Sequence, residues 1–162
     1  MEGGGGRRFP SERPRTEAEH KQSLLVTDLL TVLIKGNLNN ARLFGDLVGP
    51  RFLLNIVRVS QDEEWRSSTL QLLRQLLLLM PSDAYMSNLL SAFSSFTGTD
   101  DDSLMTELLK TLLGVLRESH KARVLFRRSG GYVCILSLLL ALEGSLAPVQ
   151  PQVSLPPHPP PK

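Results

Sequence analysis

The side chains best suited to chemistry gather where Arg117, Lys121, Arg123, Arg127 and Arg128 are opposed only by Glu118. Such a cluster could hold phosphate and, through phosphate, nucleic acid. At about 100° per residue, however, Arg117, Lys121 and Arg128 would share one face of an unbroken helix, while Arg123 and Arg127 would lie on another. No interleaved aromatic residues accompany the cluster. A solvated basic face near a helix end is therefore the favoured reading, and nucleic-acid binding is the weaker alternative.

Other reactive residue types lead no further. Ser119 stands next to His120, but adjacent residues do not face one another on a helix, and no activating acid has a recognisable spacing. Asp100, Asp101 and Asp102 are consecutive, whereas a calcium loop of the EF-hand type alternates its acids and places glycine sixth and glutamate twelfth. Capping of the following helix is their expected role. His20, His120 and His158 are too scattered to suggest zinc. Cys134 lies inside an apolar run, the setting of a small buried hydrophobe rather than a reactive thiol. These residues predict no catalytic group, no cofactor and no metal.

The final residues offer a binding pattern instead of a reactive one. Pro157, Pro160 and Lys162 match P-x-x-P-x-basic. A polyproline helix repeats every three residues, so the two prolines would lie along one edge and could dock on the aromatic grooves of an SH3-type domain, with Lys162 meeting an acidic patch.

The elements that must carry these residues are read from composition and period. In 162 residues with 41% hydrophobic and 6% aromatic content, leucine dominates and no alternating strand pattern occurs, which predicts an all-α domain. The net charge of +2 is too small to indicate a polyanionic partner or an anionic membrane. No run reaches the ~18 apolar residues of a membrane-spanning helix, and the start has no apolar core of signal-peptide length. A cytoplasmic location without direct membrane insertion is the expectation.

Residues 1–15 hold four consecutive glycines, Pro10, Pro14 and four arginines, a composition expected to stay disordered. A helical-repeat domain is expected over 16–146. Thr16 with Glu19 forms a capping box, and a helix is predicted from there to Lys35, with Leu25, Leu29, Val32 and Leu33 on one face, widened by Val26, Leu30 and Ile34. So broad a stripe predicts packing on more than one side. A short helix is expected over 37–48, then one from Arg51 burying Phe52, Leu53, Ile56 and Val57. One from Asp62 to Met80 is anchored by Trp65, and its broad apolar surface of Leu70, Leu72, Leu73, Leu76, Leu77 and Leu79 predicts neighbours on two sides. Another begins at Pro81 to Asp83 and reaches about Phe96. A further helix carries Leu104, Leu108, Leu112 and Val115.

Positions 82 residues apart match: Val26, Leu30, Leu33, Ile34, Phe44 and Gly49 meet Leu108, Leu112, Val115, Leu116, Phe126 and Gly131. Half that interval lies in the armadillo and HEAT range, and predicts a short α-solenoid of about three repeats. Phe44 and Phe126 are expected to be equivalent core anchors. The middle unit is less regular, with Gln71, Arg74 and Gln75 at positions that are apolar in its neighbours. Residues 147–162 contain seven prolines, which exclude a helix and predict an exposed, disordered tail.

The stretch Arg117 to Leu146, R-E-S-H-K-A-R-V-L-F-R-R-S-G-G-Y-V-C-I-L-S-L-L-L-A-L-E-G-S-L, reads as a basic amphipathic helix, a glycine turn and an apolar helix. It resembles a segment in the N-terminal helical region of the BEACH-domain proteins that also carry WD repeats and a FYVE domain. The likeness is looser from about Leu24 onward and stops after Leu146, as in a truncated isoform. No BEACH, WD-repeat or FYVE sequence is present, so no lipid or zinc chemistry is implied. The resemblance implies a non-enzymatic scaffold for protein partners in vesicle traffic, including autophagy or endosomal antigen handling, and endosome association through those partners. An adaptor working through Pro157, Pro160 and Lys162 is the alternative. The apolar run Tyr132 to Leu142 is expected either to be covered as a core helix or to act as a sticky end for self-association.

Overall fold

The computed structural model describes residues 16–96 and 102–146. The expectations for the glycine-rich start, for Asp100 and Asp101, and for the proline tail with Pro157, Pro160 and Lys162 lie outside the described residues. Among those described, the chain forms eight α-helices and no strand. They are α1 (Glu17–Ile34), α2 (Leu38–Leu47), α3 (Gly49–Val59), α4 (Glu63–Leu79), α5 (Asp83–Phe96), α6 (Asp102–Glu118), α7 (His120–Arg128) and α8 (Gly131–Leu146).

Local chemistry sets most of these boundaries. Glu19 N–H donates to Thr16 Oγ1 at 3.2 Å and Thr16 N–H donates to Glu19 Oε2 at 2.9 Å, the reciprocal pair that starts α1. Asn37, Asp62 and Ser119 accept from the backbone N–H three residues on at 3.0–3.1 Å and so start α2, α4 and α7. The chain turns through left-handed glycines between α1 and α2, at the first residue of α3, and between α7 and α8, with φ of 70° at Gly36, 67° at Gly49 and 78° at Gly130. The third helix thus begins two residues before Arg51. The expected continuous helix from Arg117 to Arg128 is broken at Ser119, whose backbone is extended so that its hydroxyl can cap α7.

The helices stack in two rows. In one row α4 lies between α1 and α6; in the other α5 lies between α3 and α8. The short α2 bridges α1, α3 and α4, and α7 does the same for α5, α6 and α8. The core follows the middle of this stack: Leu72, Leu73, Leu76 and Leu77 of α4, Met86, Leu89 and Phe93 of α5, and Leu108 and Val115 of α6 are almost wholly shielded. Each such side chain contributes ~1.5–3 kcal/mol through burial. The broad apolar surface of α4 has several neighbours, as its pattern predicts.

The outer helices depart from the sequence reading. On α1, Leu25, Val26, Leu29, Val32 and Leu33 are 49–70% exposed, while the face turned to the core carries Thr27 and Ile34, with Ser23, Leu30 and Thr31 partly covered. Among the described residues α1 therefore packs on α4, with α2 at its end, and its outer apolar stripe stays uncovered, in place of the expected packing on more than one side. Its inner face lies against α4 and carries hydroxyl groups satisfied within α1 itself: Ser23, Thr27 and Thr31 donate to the carbonyls of Glu19, Ser23 and Thr27. Phe52 is also exposed, whereas Leu53, Leu54 and Val57 form the buried face of α3.

Candidate interaction surfaces

The basic residues are distributed over two helices. Arg117 lies in the last turn of α6, and Lys121, Arg123, Arg127 and Arg128 belong to α7; all five are exposed. Two have structural work. Arg123 Nη1 donates to the carbonyls of Leu116 at 2.7 Å and Arg117 at 3.4 Å, capping the end of α6. Arg128 reaches Asp83 Oδ2 on α5 at 3.3 Å. The break at Ser119 removes the shared helical face expected for Arg117, Lys121 and Arg128. Asn40 makes the equivalent contact in the first corner, donating to the Leu33 carbonyl at 2.8 Å. Neutral and charged side chains thus do one job at the two corners.

The neighbouring polar residues are equally committed. The Ser119 hydroxyl accepts from Ala122 N–H at 3.1 Å, so it serves as a helix cap beside an exposed His120. Cys134 is partly buried, its thiol points at the Leu90 carbonyl at 3.7 Å, and burial pushes its pKa up. That environment opposes thiolate formation. Among the described residues, no group of three or more His, Cys, Asp or Glu is arranged to hold a metal ion.

Polar contacts that no motif announced join α1 to α4. Asp62 accepts from Trp65 N–H at 3.0 Å and pairs with His20 Nδ1, while His20 Nε2 lies 3.4 Å from Glu64. Burial raises the Asp62 pKa, but the Trp65 N–H and the His20 contact outweigh it and leave the carboxyl below its ordinary value. Trp65 Nε1 donates to Thr27 Oγ1 at 3.1 Å, and Ser68 donates to Asp28 at 2.7 Å. On the other side of α4, Arg74 crosses Gly114 of α6 and pairs with Glu118. A Cβ at residue 114 would meet the guanidinium at 3.0–3.3 Å, so this glycine makes room for the irregular arginine of the middle unit.

Two surfaces stand out for binding. A groove of about 330 Å³ between α3 and α5 is lined by Arg51, Asn55, Arg58, Asn88, Ser91 and Ser95 over Leu54 and Ala92. More extensive are the apolar faces of the outer helices. Leu25, Val26, Leu29, Val32 and Leu33 of α1 recur at the same spacing as Tyr132, Val133, Leu136, Leu139 and Leu140 of α8, and all ten are exposed. The inner side of α8 supplies Leu138, with Cys134 and Ile135 partly covered. Among the described residues, no single helix is long and apolar enough to cross a membrane, and the combined apolar length of α7 and α8 is bent by 73° where the two helices meet.

No family model and no solved structure matches the chain. Curated relatives do match: a mouse protein at 31% and a human protein at 32% identity, each over 131 residues that make up 80% of this chain and 4% of the relative. Both are WD repeat- and FYVE domain-containing protein 4, so the chain is similar to one small part of a much longer protein.

Proposed function

We propose that this chain is a non-enzymatic helical-repeat interaction piece, a short armadillo- or HEAT-like α-solenoid of about three units that presents its surfaces to protein partners. The observation carrying this reading is the two-row stack whose outermost helices, α1 and α8, turn apolar faces outward. Units of this kind cannot bury their faces alone and find cover from neighbours. The family resemblance supports a scaffold role in vesicle traffic, in the cytoplasm and at endosomes through partners. Autophagy and endosomal antigen handling are the processes to examine.

The spacing of Pro157, Pro160 and Lys162 supports a second reading, an adaptor that recruits an SH3-type domain. Proximity labelling from the chain with and without residues 147–162 separates the two. Partners shared by both forms are expected for the scaffold; partners lost with the tail would assign the work to the proline segment. A peptide of residues 153–162 whose SH3 binding is unchanged when Pro157 and Pro160 become Ala would remove the adaptor reading. Nucleic-acid binding by Arg117, Lys121, Arg123, Arg127 and Arg128 is disfavoured by their dispersal and by the commitments of Arg123 and Arg128. Tight, salt-sensitive binding to RNA or DNA would restore it.

A further inference from the structure

We infer that α8 pairs with α8 of a second copy, antiparallel and about a two-fold axis near Leu136. Its exposed stripe of Tyr132, Val133, Leu136, Leu139 and Leu140 follows the alternating four- and three-residue spacing of a helix-packing seam. Glu143 is the only charged residue of α8, so no like charges oppose one another along the seam.

The charge pattern selects the antiparallel direction. Glu143 is exposed near one end of α8, whereas Arg127 stands at the end of α7, at the corner leading into the other, beside Arg128, which is paired with Asp83. With Leu136 facing its own equivalent, Glu143 lies seven residues, ~10 Å, along the helix axis and falls opposite that corner of the second copy. The positive end of the backbone dipole adds to the attraction there. In the same register Tyr132 meets Leu140, and Val133 meets Leu139. Parallel pairing would place the two Glu143 side chains together and the two basic corners together.

The apolar stripe of α1 has the same spacing but is bordered by Lys21 and Asp28, with Lys35 at the C-cap; Glu17 at its start is already paired with Lys21, so its ends lack this complementarity. Closed two-fold contacts are the commonest way for identical chains to associate. One helical seam is small beside the ~800 Å² per partner of a standard interface, so the dimer is expected to dissociate on dilution.

Sedimentation equilibrium of the full chain, with circular dichroism to verify folding, tests this arrangement. The expected result is a monomer–dimer equilibrium that Leu136→Glu abolishes and Leu29→Glu leaves intact. In a Cys134→Ala background, Leu136→Cys should form an intermolecular disulfide on mild oxidation, and Val133→Cys should do so far less. Glu143→Lys should weaken the dimer, and Arg127→Glu in the same chain should recover it. A folded protein that stays monomeric up to its solubility limit would overturn the inference. So would a dimer lost through Leu29→Glu, or a monomer that binds anionic lipid vesicles through Leu136.

Discussion

The first three helices and the last three are built to one plan, yet their side chains meet different surroundings. Eighty-two residues separate the starts of α2 and α7, and the same interval separates α3 from α8. Asn37 and Ser119 make the same cap. At the second corner, Phe126 is buried and its ring lies against Gly131, with Tyr132 edge-on at 5.4 Å. At the first, Phe44 is only partly covered, and close approach occurs instead at Gly45, against Tyr85 and Met80. Matching residues therefore specify matching helices and corners, while the depth of each anchor depends on what packs beside it.

The largest expected effect tests that difference. Phe126→Ala should cost ~3–5 kcal/mol in denaturant unfolding, and Phe44→Ala about half as much. Equal losses would restore the equivalence that their positions suggest.

Glycines sharpen the comparison. Gly131→Ala should cost ~1–3 kcal/mol because its methyl would meet the Phe126 ring, and Phe126→Leu should relieve part of that cost. Gly49→Ala has open space around it, but its φ of 67° should still cost about 1 kcal/mol. Thermal unfolding of Gly131→Ala with and without Phe126→Leu distinguishes crowding from backbone strain. In sequence Gly49 pairs with Gly131; in backbone shape it pairs with Gly130.

The two ends also attach differently to α4. Thr27→Val removes the acceptor for Trp65 Nε1 and should cost ~1 kcal/mol, measured by thermal unfolding. The smallest effect is at Asp62. Its folded-state pKa lies below the ordinary carboxylate value, so the stability it contributes is present above that ordinary value and lost as pH falls through the lowered one. Asp62→Asn should retain most of the cap while flattening this acid limb. An unchanged acid limb in urea unfolding would show that the carboxylate adds nothing beyond the cap.

How much of this could be read from the chain depends on whether the cause is local. Thr16 with Glu19, Asn37, Asp62 and Gly36 act within one turn of backbone, and they mark their helix ends correctly. The apolar period of α4 likewise announced several neighbours. Burial on α1 departs from its pattern because the period of Leu25, Leu29 and Val32 records which face is apolar, not which face α4 covers. The contact from Trp65 to Thr27 and the passage of Arg74 over Gly114 join residues 38 and 40 positions apart, respectively, and no local pattern encodes such meetings. The apolar run of α8 is compatible in sequence with either a covered or an exposed helix, and the described residues leave its stripe uncovered.

The inverted polarity of α1 bears on the order in which the molecule opens. A helix joined to α4 by the polar pairs His20 with Asp62, Thr27 with Trp65 and Asp28 with Ser68, and by Leu30 and Ile34 alone of its apolar stripe, gains less from the removal of apolar surface from water than α4, which is packed from several sides. Its amide hydrogens should therefore exchange with solvent through a local detachment of α1, well before those of α4, which should exchange only when the whole stack comes apart.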